Sequence, residues 1–239
     1  MQNKLIAIGD AAQSLGVSID TLRRWDGTGR LQSVRSGPHG HRFYRQEDIN
    51  LFLRNESSLA RQWILTPIGA LPSNDVYCQT RDVFQARLEK LQHALAGKVP
   101  ESAVSLLSAV AGEIGNNSFD HNLGNWPDIT GIYFSYDARN RNIVLADRGL
   151  GILATLKRVR PELNNSSEAL KIAFTETVSG RFPEARGNGL KFVRSVIIEN
   201  PFTLKFQTGD ASLFLKEHDK DLSVSQAEEY FGGCLKTPS

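Results

Sequence analysis

The stretch from Val104 to His121 most constrains this chain, because it combines helical periodicity with a polar stripe. Its apolar positions recur at intervals of three and four, as on one buried face of a helix. These positions are Val104, Leu107, Val110, Ala111 and Ile114. A helix advances about 100° per residue, so Glu113, Asn117 and His121 share one side. Asp120 falls on the same side. An acid, an amide and a histidine backed by a core face indicate half of a metal–phosphate site.

The composition is that of a soluble globular protein with room for one large domain or two modest ones. The 239 residues are 40% hydrophobic and 23% charged. No apolar run approaches the roughly 20 residues that span a bilayer, and the N-terminus lacks a signal-peptide pattern, so we expect a cytoplasmic protein without a membrane segment. Cys78 and Cys234 fit no metal spacing and suit a reducing compartment. Residues 1–54 carry eight Lys/Arg against five Asp/Glu, a net charge of +3 that favours a nucleic-acid module.

The first 54 residues have the pattern of three short helices and a wing. Helices are predicted over Ile8–Leu15 and Ile19–Asp26, joined by a turn at Gly16-Val17. A glycine-containing loop over residues 37–40 separates two short extended segments, and a third helix is predicted over Gln46–Leu53. Two short helices with a tight turn, followed by a wing, indicate a winged helix-turn-helix.

This segment resembles the MerR-type winged helix-turn-helix found on excisionases and transposon-associated resolvases. The resemblance rests on Ala11-Ala12, Leu15 to Ser18, Thr21 to Trp25, Gly29, Gly40 to Arg45 and Asp48-Ile49. It implies that the second helix enters the major groove of double-stranded DNA and that the wing reaches the flanking backbone. The residues implied to face DNA are Ser18, Thr21, Arg23, Arg24, Arg35, His41, Arg42 and Arg45. The alternative is that these side chains form an ordinary solvated face.

Trp25 is interpreted as a core residue of this module rather than as a base-stacking residue. A single reader of about 54 residues makes few base contacts, and such readers usually bind paired half-sites. We therefore expect a homodimer.

Residues 55–100 are predicted to join two domains. Pro67, Gly69 and Pro72 interrupt regular structure, so residues 55–78 are interpreted as a linker. Residues 79–96 recover the helical spacing of apolar positions. That helix is either part of the second domain's core or a connector or dimer helix, and the sequence leaves both interpretations open.

Residues 101–216 are predicted to form an α+β domain with two glycine motifs. The helix is followed by a strand over Thr130–Tyr136 and a hairpin partner over Asn142–Asp147. The second strand ends in Asp147-x-Gly149-x-Gly151, and a later helix begins at Gly187-x-Gly189. Runs of helix and hairpin without a βαβ rhythm favour an α/β sandwich.

The C-terminal part is predicted to contain one more hairpin and a tail. Thr203–Phe206 and Ser212–Leu215 are predicted to pair with each other. Residues 217–239 are polar and are interpreted as a loose tail with a short helix over Val224–Tyr230.

The order of these motifs over residues 101–216 resembles the GHKL, or Bergerat-fold, ATPases of gyrase, heat-shock chaperones, histidine kinases and mismatch repair. The resemblance implies ATP and Mg²⁺ as cofactors. By this resemblance Asn117 binds Mg²⁺, Glu113 polarises the attacking water, and Asp147 accepts a hydrogen bond from the adenine amino group. The other residues implied at the cofactor site are Asp120, His121, Gly149, Gly151, Arg186, Gly187, Gly189 and Ser212.

Three positions depart from the patterns of individual branches. Asp120 stands where histidine kinases usually carry Lys or Arg, whereas His121 is closer to the kinase and anti-sigma branch. Arg186 stands where another Gly is common in the second motif. We therefore expect ATP binding with, at most, slow Mg-dependent hydrolysis.

Together the two modules predict a DNA-binding regulator in which Mg-ATP switches DNA binding or assembly. The alternative is an anti-sigma-like serine/threonine kinase that acts on a partner protein while tethered to DNA. Histidine autophosphorylation is rejected, because His93 lies only 20 residues before Glu113 and leaves no room for a two-helix dimerisation unit. A DNA-processing assembly factor would need a transducer domain, which we do not expect in a chain of this length.

Overall fold

The structure is a computed structural model that describes residues 4–15, 18–27, 31–35, 37, 40–53, 56–66, 68–137, 141–177 and 188–231. Two compact units divide between Gln62 and Trp63, which places residues 1–62 in unit 1 and residues 63–239 in unit 2. The division falls inside helix α4, which spans Glu56–Leu65.

Unit 1 contains the three predicted helices and a small antiparallel sheet. Its elements are β1 (Leu5–Ala7), α1 (Ile8–Leu15), α2 (Ile19–Gly27), β2 (Val34–Arg35), β3 (Arg42–Arg45) and α3 (Gln46–Leu53). The strands lie in the order β1-β3-β2. Leu22, Tyr44 and Ile49 are fully buried between the helices and the sheet. The prediction of three helices with a wing is confirmed; Gly16, Val17 and Gly29 lie outside the described residues.

Trp25 belongs to this core, as predicted. Its side chain is 2% exposed, and its ring centroid lies 5.0 Å from that of Phe52 on α3. The Tyr44 hydroxyl donates to the backbone carbonyl of Leu22 over 3.2 Å, which ties β3 to α2. The wing and the second helix are therefore fixed to one another through the core.

Residues 55–78, interpreted as a linker, contain two elements that the sequence analysis did not predict. Residues 56–65 form α4, which buries Ala60 and Trp63. The helix ends just before Pro67, so the helix-breaking residues act only after its last turn. Residues 77–78 form the short strand β4, which pairs with the sheet of unit 2.

Unit 2 has the mixed helix and sheet content that the sequence predicts. Its remaining elements are α5 (Arg81–Leu95), α6 (Glu101–Asn122), β5 (Ile132–Asp137), β6 (Asn142–Asp147), α7 (Gly151–Leu156), α8 (Ser166–Thr175), α9 (Gly189–Glu199), β7 (Thr203–Lys216) and β8 (Val224–Phe231). One sheet has the order β4-β5-β6 and another pairs β7 with β8. All of the strand pairs that the structure describes are antiparallel.

One apolar core runs through unit 2 and sets the position of α6. Thr80 caps α5, whose Phe84, Leu88 and Leu91 pack into the same core as Ile114 of α6. Helix α5 therefore belongs to this core. The apolar face of α6 is buried as its periodicity predicts. Glu113 and Asn117 of the polar stripe lie beside Gly189 of α9, and the neighbouring Ser118 reaches Asp147 at the end of β6.

The predicted C-terminal elements were wrong in two places. Residues 203–216 form one continuous strand, β7, instead of a hairpin of two strands. Its Gly209-Asp210 dipeptide has the chemistry of a turn but forms an irregularity in the pairing with β8, with the neighbouring Gln207 and Thr208 buried. Residues 224–231 form strand β8 instead of a helix, because pairing with β7 overrides their local propensity.

Among the residues that the structure describes, no helix has both the length and the apolar character needed to cross a membrane.

Candidate functional site

Helix α2 presents basic side chains on its exposed face. Its first turn is capped, because the Ser18 hydroxyl oxygen accepts the Thr21 backbone N–H over 3.1 Å. Arg23 and Arg24 are both exposed. Arg23 also donates to Asp20 over 2.8 Å, a surface pair that stabilises the helix only weakly. Both arginines belong to the set predicted from the sequence to face DNA.

The wing carries the other predicted DNA contacts. The backbone N–H of Gly40 donates to the carbonyl of Gly37 over 3.2 Å, and Gly37 has a φ of 93°, a conformation that favours glycine. His41 and Arg45 are exposed, and Arg45 lies 3.7 Å from Asp48. These two exposed side chains therefore lie at opposite ends of β3.

The other two wing arginines are bound to a carboxylate that the sequence interpretation missed. Asp26 accepts the Nε–H of Arg42 over 2.8 Å, an Nη2–H of Arg35 over 2.9 Å and the backbone N–H of Ser33 over 2.8 Å. Burial opposes its ionisation, but the hydrogen bonds from Arg42, Ser33 and Arg35 hold the pKa of Asp26 well below its ordinary value. An acid in the last turn of a helix opposes the helix dipole, and that was the available signal.

A buried carboxylate marks the start of the loop over residues 147–151 in unit 2, called the carboxylate–glycine loop. Asp147 ends β6 and is 4% exposed. Its Oδ2 accepts the Ser118 hydroxyl over 2.7 Å, and its Oδ1 accepts the backbone N–H of Gly149 over 2.8 Å. Burial raises the pKa of Asp147 to about 6, although both hydrogen bonds act in the opposite direction. Burial and these two hydrogen bonds fix the direction of both carboxylate oxygens.

Asn122 holds the glycine loop against the end of α6. Its side-chain amide donates to the Ser118 carbonyl over 2.8 Å and accepts the backbone N–H of Leu150 over 2.8 Å. A Cβ at Gly149 would overlap the Asn122 amide, so this position requires glycine. Ser118 and Asn122 were missed, although they lie four residues apart on one face of α6.

The carboxylate–glycine loop ends at Gly151, where α7 begins, close to the buried hydroxyl of Thr208. Gly151 has a φ of 78°, which favours glycine. The next backbone N–H, that of Ile152, donates to the Thr208 hydroxyl oxygen over 3.2 Å. Ser212, which the resemblance implied near the base, lies 3.0 Å from Ser225 on β8. Thr208, four residues earlier on β7, is the threonine found at the loop.

Two residues of the polar stripe of α6, Glu113 and Asn117, lie beside Gly189, the first residue of α9. A Cβ built on Gly189 would lie 2.5 Å from the Glu113 Oε2 atom and 3.5 Å from the Asn117 amide nitrogen. An acid and an amide therefore adjoin the N-terminus of a helix, where backbone N–H groups favour anions. Arg186 and Gly187 lie outside the described residues.

The other two residues of the stripe lie at its C-terminal end. Asp120 forms an ion pair with Arg81 of α5, which joins the first turn of α5 to α6. His121 is half-buried on the next position. The structure thus brings Glu113 and Asn117 together at α9, and gives Asp120 a contact within the helix pair.

Arg148, the variable residue between Asp147 and Gly149, binds the segment that follows α4. It pairs with Asp128 over 2.7 Å, and each of these side chains is 10% exposed. It also donates to the Thr66 carbonyl over 3.0 Å, and its guanidinium lies 5.9 Å from the ring centre of Trp63. The same segment is held by the Trp63 indole N–H, which donates to the Ala70 carbonyl over 2.9 Å. This group of contacts is called the Arg148 clamp.

The fold and these two sites define a chain with an N-terminal winged helix-turn-helix and a second α+β unit with a carboxylate–glycine loop. Residues 6–55 match the family model described as MerR HTH family regulatory protein, and they form a MerR-family helix-turn-helix of the kind used by DNA-binding regulators.

The chain is also similar to the type II methyltransferase M.Eco47II of Escherichia coli, with 26% identity over 226 residues. The alignment covers 85% of this chain and 51% of that protein, so the chain spans about half the length of the curated relative that it matches. No solved structure gives a significant match.

Proposed function

We propose that this protein is a DNA-binding regulator whose second unit binds Mg-ATP and thereby changes the DNA binding or assembly of the first. The DNA-binding part is supported by the MerR-family match over residues 6–55 and by the exposed arginines of α2. The nucleotide part rests on the GHKL resemblance and on one observation, the buried Asp147 carboxylate oriented by Ser118 and Gly149. In this proposal the protein binds paired half-sites as a homodimer.

The adenine is proposed to bind beside the carboxylate–glycine loop. Asp147 would accept a hydrogen bond from its amino group, which a carboxylate does well only when ionised and fixed in direction. Gly149 and Gly151 let the backbone of the loop come close to the base and ribose. Thr208, whose hydroxyl is buried beside the loop, is a second candidate contact, and Ser212 remains a proposed one.

The phosphates are proposed to bind between α6 and the N-terminus of α9. The close approach of Glu113 to Gly189 fits this use, because a side chain at Gly189 would occupy the space where the acid lies. Asn117 would supply the oxygen ligand to Mg²⁺, which otherwise uses phosphate oxygens and water. Mg²⁺ supplies charge neutralisation of the phosphates when bound, and Glu113 would orient a water molecule. Asp120, His121, Arg186 and Gly187 stay in the proposed site.

The Arg148 clamp supports a coupling between the nucleotide loop and the chain that leads to unit 1. Arg148 follows Asp147 directly, so a ligand that shifts the loop also acts on the backbone of Arg148. Arg148 in turn holds Trp63 and Thr66, near the start of unit 2. A ligand shifts an equilibrium only by its differential affinity for two states, and here the two states would differ in this clamp.

The experiment measures nucleotide and DNA binding on the full chain. A fluorescent ATP analogue is titrated with and without Mg²⁺ into the wild type, Asn117→Ala and Asn116→Ala, a matched amide on the same helix. We expect Asn117→Ala to lose the Mg-dependent part of the affinity and Asn116→Ala to keep it. Equal affinities with and without Mg²⁺ in all three proteins would contradict the proposed metal site, and no binding would refute the nucleotide site.

The coupling is tested by measuring DNA affinity with and without Mg-ATP. We expect the nucleotide to change the DNA affinity of the wild type, and Arg148→Met to lose that change while it retains nucleotide binding. Arg158→Met, an exposed arginine of the same unit, is the control. A wild type that binds both ligands independently would refute the switch. Transfer of labelled phosphate to a protein would instead favour the kinase alternative.

The similarity to a methyltransferase raises S-adenosylmethionine, a methyl donor, as a second candidate ligand. It carries the same adenosine group as ATP. The carboxylate–glycine loop is suited to either ligand. The Glu113–Asn117 pair at α9 favours ATP, since S-adenosylmethionine has no phosphates. Competition of the two ligands for the fluorescent analogue separates the candidates: displacement by S-adenosylmethionine alone would refute the ATP proposal.

A further inference from the structure

Asp26 lies beneath two arginines that face each other across the wing. Arg35 on β2 and Arg42 on β3 are cross-strand partners, and both guanidinium groups donate to the same Oδ2 atom of Asp26. The Asp26 side chain is 10% exposed, whereas those of Arg35 and Arg42 are 42% and 29% exposed. The carboxylate therefore lies inside and the guanidinium groups lie toward solvent.

Both arginines retain donors for a further ligand. A guanidinium has five N–H donors, and the bond to Asp26 uses one of them on each side chain. The pair carries two positive charges against one negative charge, so the cluster keeps a net charge of +1. Planar guanidinium groups suit phosphate oxygens in particular.

The geometry points to Asp26 as a positioning residue that holds Arg35 and Arg42 as one preformed site for a DNA backbone phosphate. This inference rests on the proposed DNA binding of unit 1 and extends it. Asp26 touches no DNA in this arrangement. It restricts the rotamers of two long side chains before DNA arrives, so less conformational freedom is lost on binding.

A third bond fixes the carboxylate itself. The Ser33 backbone N–H donates to Oδ1, so Asp26 joins the last turn of α2 to the segment that precedes β2 as well as to the wing. The bonds from Ser33, Arg35 and Arg42 to Asp26 set the distance between α2 and the two guanidinium groups. Side chains of α2 could then contact the major groove while the wing arginines contact the DNA backbone at a fixed distance from it.

Asp26→Asn should change DNA affinity in opposite directions, depending on whether Asp26 acts only through its charge or by positioning the two arginines. A carboxylate near phosphates repels them, so its removal alone should tighten DNA binding and steepen the salt dependence. Loss of a positioning carboxylate should weaken binding, because the two arginines are no longer held. The sign of the change therefore distinguishes the two roles.

The experiment uses the full chain and two duplex probes. One is selected from a random-sequence library by the wild-type protein, and the other is an unselected random-sequence duplex. Affinity is measured over a salt series for the wild type, Asp26→Asn and Asp10→Asn, which removes an exposed carboxylate of α1 and matches the charge change. For the selected duplex we expect Asp26→Asn to bind about tenfold more weakly and Asp10→Asn to bind equally or more tightly. The slope of log affinity against log salt concentration should be smaller in magnitude by about one for Asp26→Asn, which is the contribution of one phosphate contact.

A double-mutant cycle tests whether Asp26 acts through the arginines. In a background of Arg35→Ala and Arg42→Ala, Asp26→Asn should have no further weakening effect. Asp26→Glu, which keeps an acceptor, should restore part of the lost affinity. Circular dichroism melting identifies any variant whose unit 1 has unfolded. If Asp26→Asn is such a variant, Asp26→Glu takes its place in the double-mutant cycle.

Three results would overturn the inference. They are tighter binding by Asp26→Asn, an unchanged salt slope, and a full effect of Asp26→Asn in the double-alanine background. If the wild type binds neither duplex in a salt-dependent way, the proposed DNA binding fails and this inference fails with it. If the wild type binds DNA but Asp26→Asn behaves like Asp10→Asn, only the inference fails.

Discussion

Asp147→Asn is expected to make the unliganded protein more stable while it removes nucleotide binding. Burial raises the pKa of Asp147 from 3.8 to about 6 in the folded protein. One pKa unit corresponds to about 1.36 kcal/mol, so holding this carboxylate ionised at pH 7 costs about 3 kcal/mol of folding free energy. The cost follows from desolvation, because both carboxylate oxygens already have donors.

The sign of the pH dependence follows from proton binding. Below the ordinary pKa near 3.8 the carboxyl group is neutral in both states and there is no cost. Between that value and about 6 the folded protein binds the proton more tightly than the unfolded chain, so this group lowers stability as pH rises. Above the folded pKa the cost is constant.

Asparagine keeps the shape of the side chain without the charge. Its amide oxygen can still accept the Gly149 N–H, and its amide nitrogen can donate to the Ser118 hydroxyl. These neutral hydrogen bonds are weaker than bonds to a carboxylate, so we expect a net gain of about 1–2 kcal/mol at pH 7. Urea unfolding of wild type and variant at pH 4 and pH 7 measures the gain, which should shrink toward zero at pH 4.

The difference in unfolding free energy between the wild type and Asp147→Asn isolates the contribution of the Asp147 carboxyl group, because the contributions of the other titrating groups cancel. Asp82→Asn, an exposed acid on α5 of the same unit, is the control and should show no such gain. If Asp147→Asn is less stable than the wild type at pH 7, or if the gain is the same at both pH values, the reasoning is refuted.

Three further substitutions test local contacts. Gly149→Ala should lower the stability of unit 2 by about 1–3 kcal/mol in urea unfolding, because its Cβ overlaps the Asn122 amide. Gly189→Ala should displace the Glu113 carboxylate and weaken ATP-analogue binding several-fold, with little change in melting temperature because only a side-chain tip must move. Tyr44→Phe should cost unit 1 about 1 kcal/mol in thermal unfolding, since the Leu22 carbonyl loses the hydrogen bond from the buried Tyr44 hydroxyl.

Controls separate these local effects from the general cost of the substitution. Gly9→Ala adds a Cβ with no heavy atom within 4 Å and should be neutral or slightly stabilising in α1. Gly112→Ala meets only the Leu88 side chain at 3.3 Å, so it should destabilise less than Gly149→Ala and leave nucleotide binding unchanged. A Gly149→Ala protein as stable as Gly112→Ala would contradict the proposed packing of Asn122 on the loop.

The sequence carried most of the information for elements with strong local signals. The helix over residues 101–122 was predictable because its apolar spacing is regular over about three turns, from Val104 to Ile114, and Ser18 marked the start of α2. The β5–β6 hairpin was predictable from two apolar runs around a short polar segment. The MerR-type module was predicted from its dense residue pattern, and its match over residues 6–55 confirms that assignment.

The rest depended on partners that are distant in sequence. Strand β8 has no strand signal of its own and forms because β7 offers an edge. Asp26 and Arg42 are 16 residues apart, so no short motif links them. Arg148 and Thr66 are 82 residues apart, and only the folded unit reveals that the variable residue of a glycine motif binds the segment after α4.

The positions of the three tryptophans give the molecule separate optical reporters. Trp25 is buried in the core of unit 1, whereas Trp63 and Trp126 belong to unit 2. Trp63 lies beside the Arg148 guanidinium and 6.2 Å from the Tyr133 ring, so its fluorescence should respond to any rearrangement of the clamp. A protein with Trp63→Phe and Trp126→Phe retains only the fluorophore of unit 1, and one with Trp25→Phe and Trp126→Phe retains only that of the clamp. The folding of unit 1 and the ligand response of unit 2 can then be followed in two variants of the full chain without an added dye.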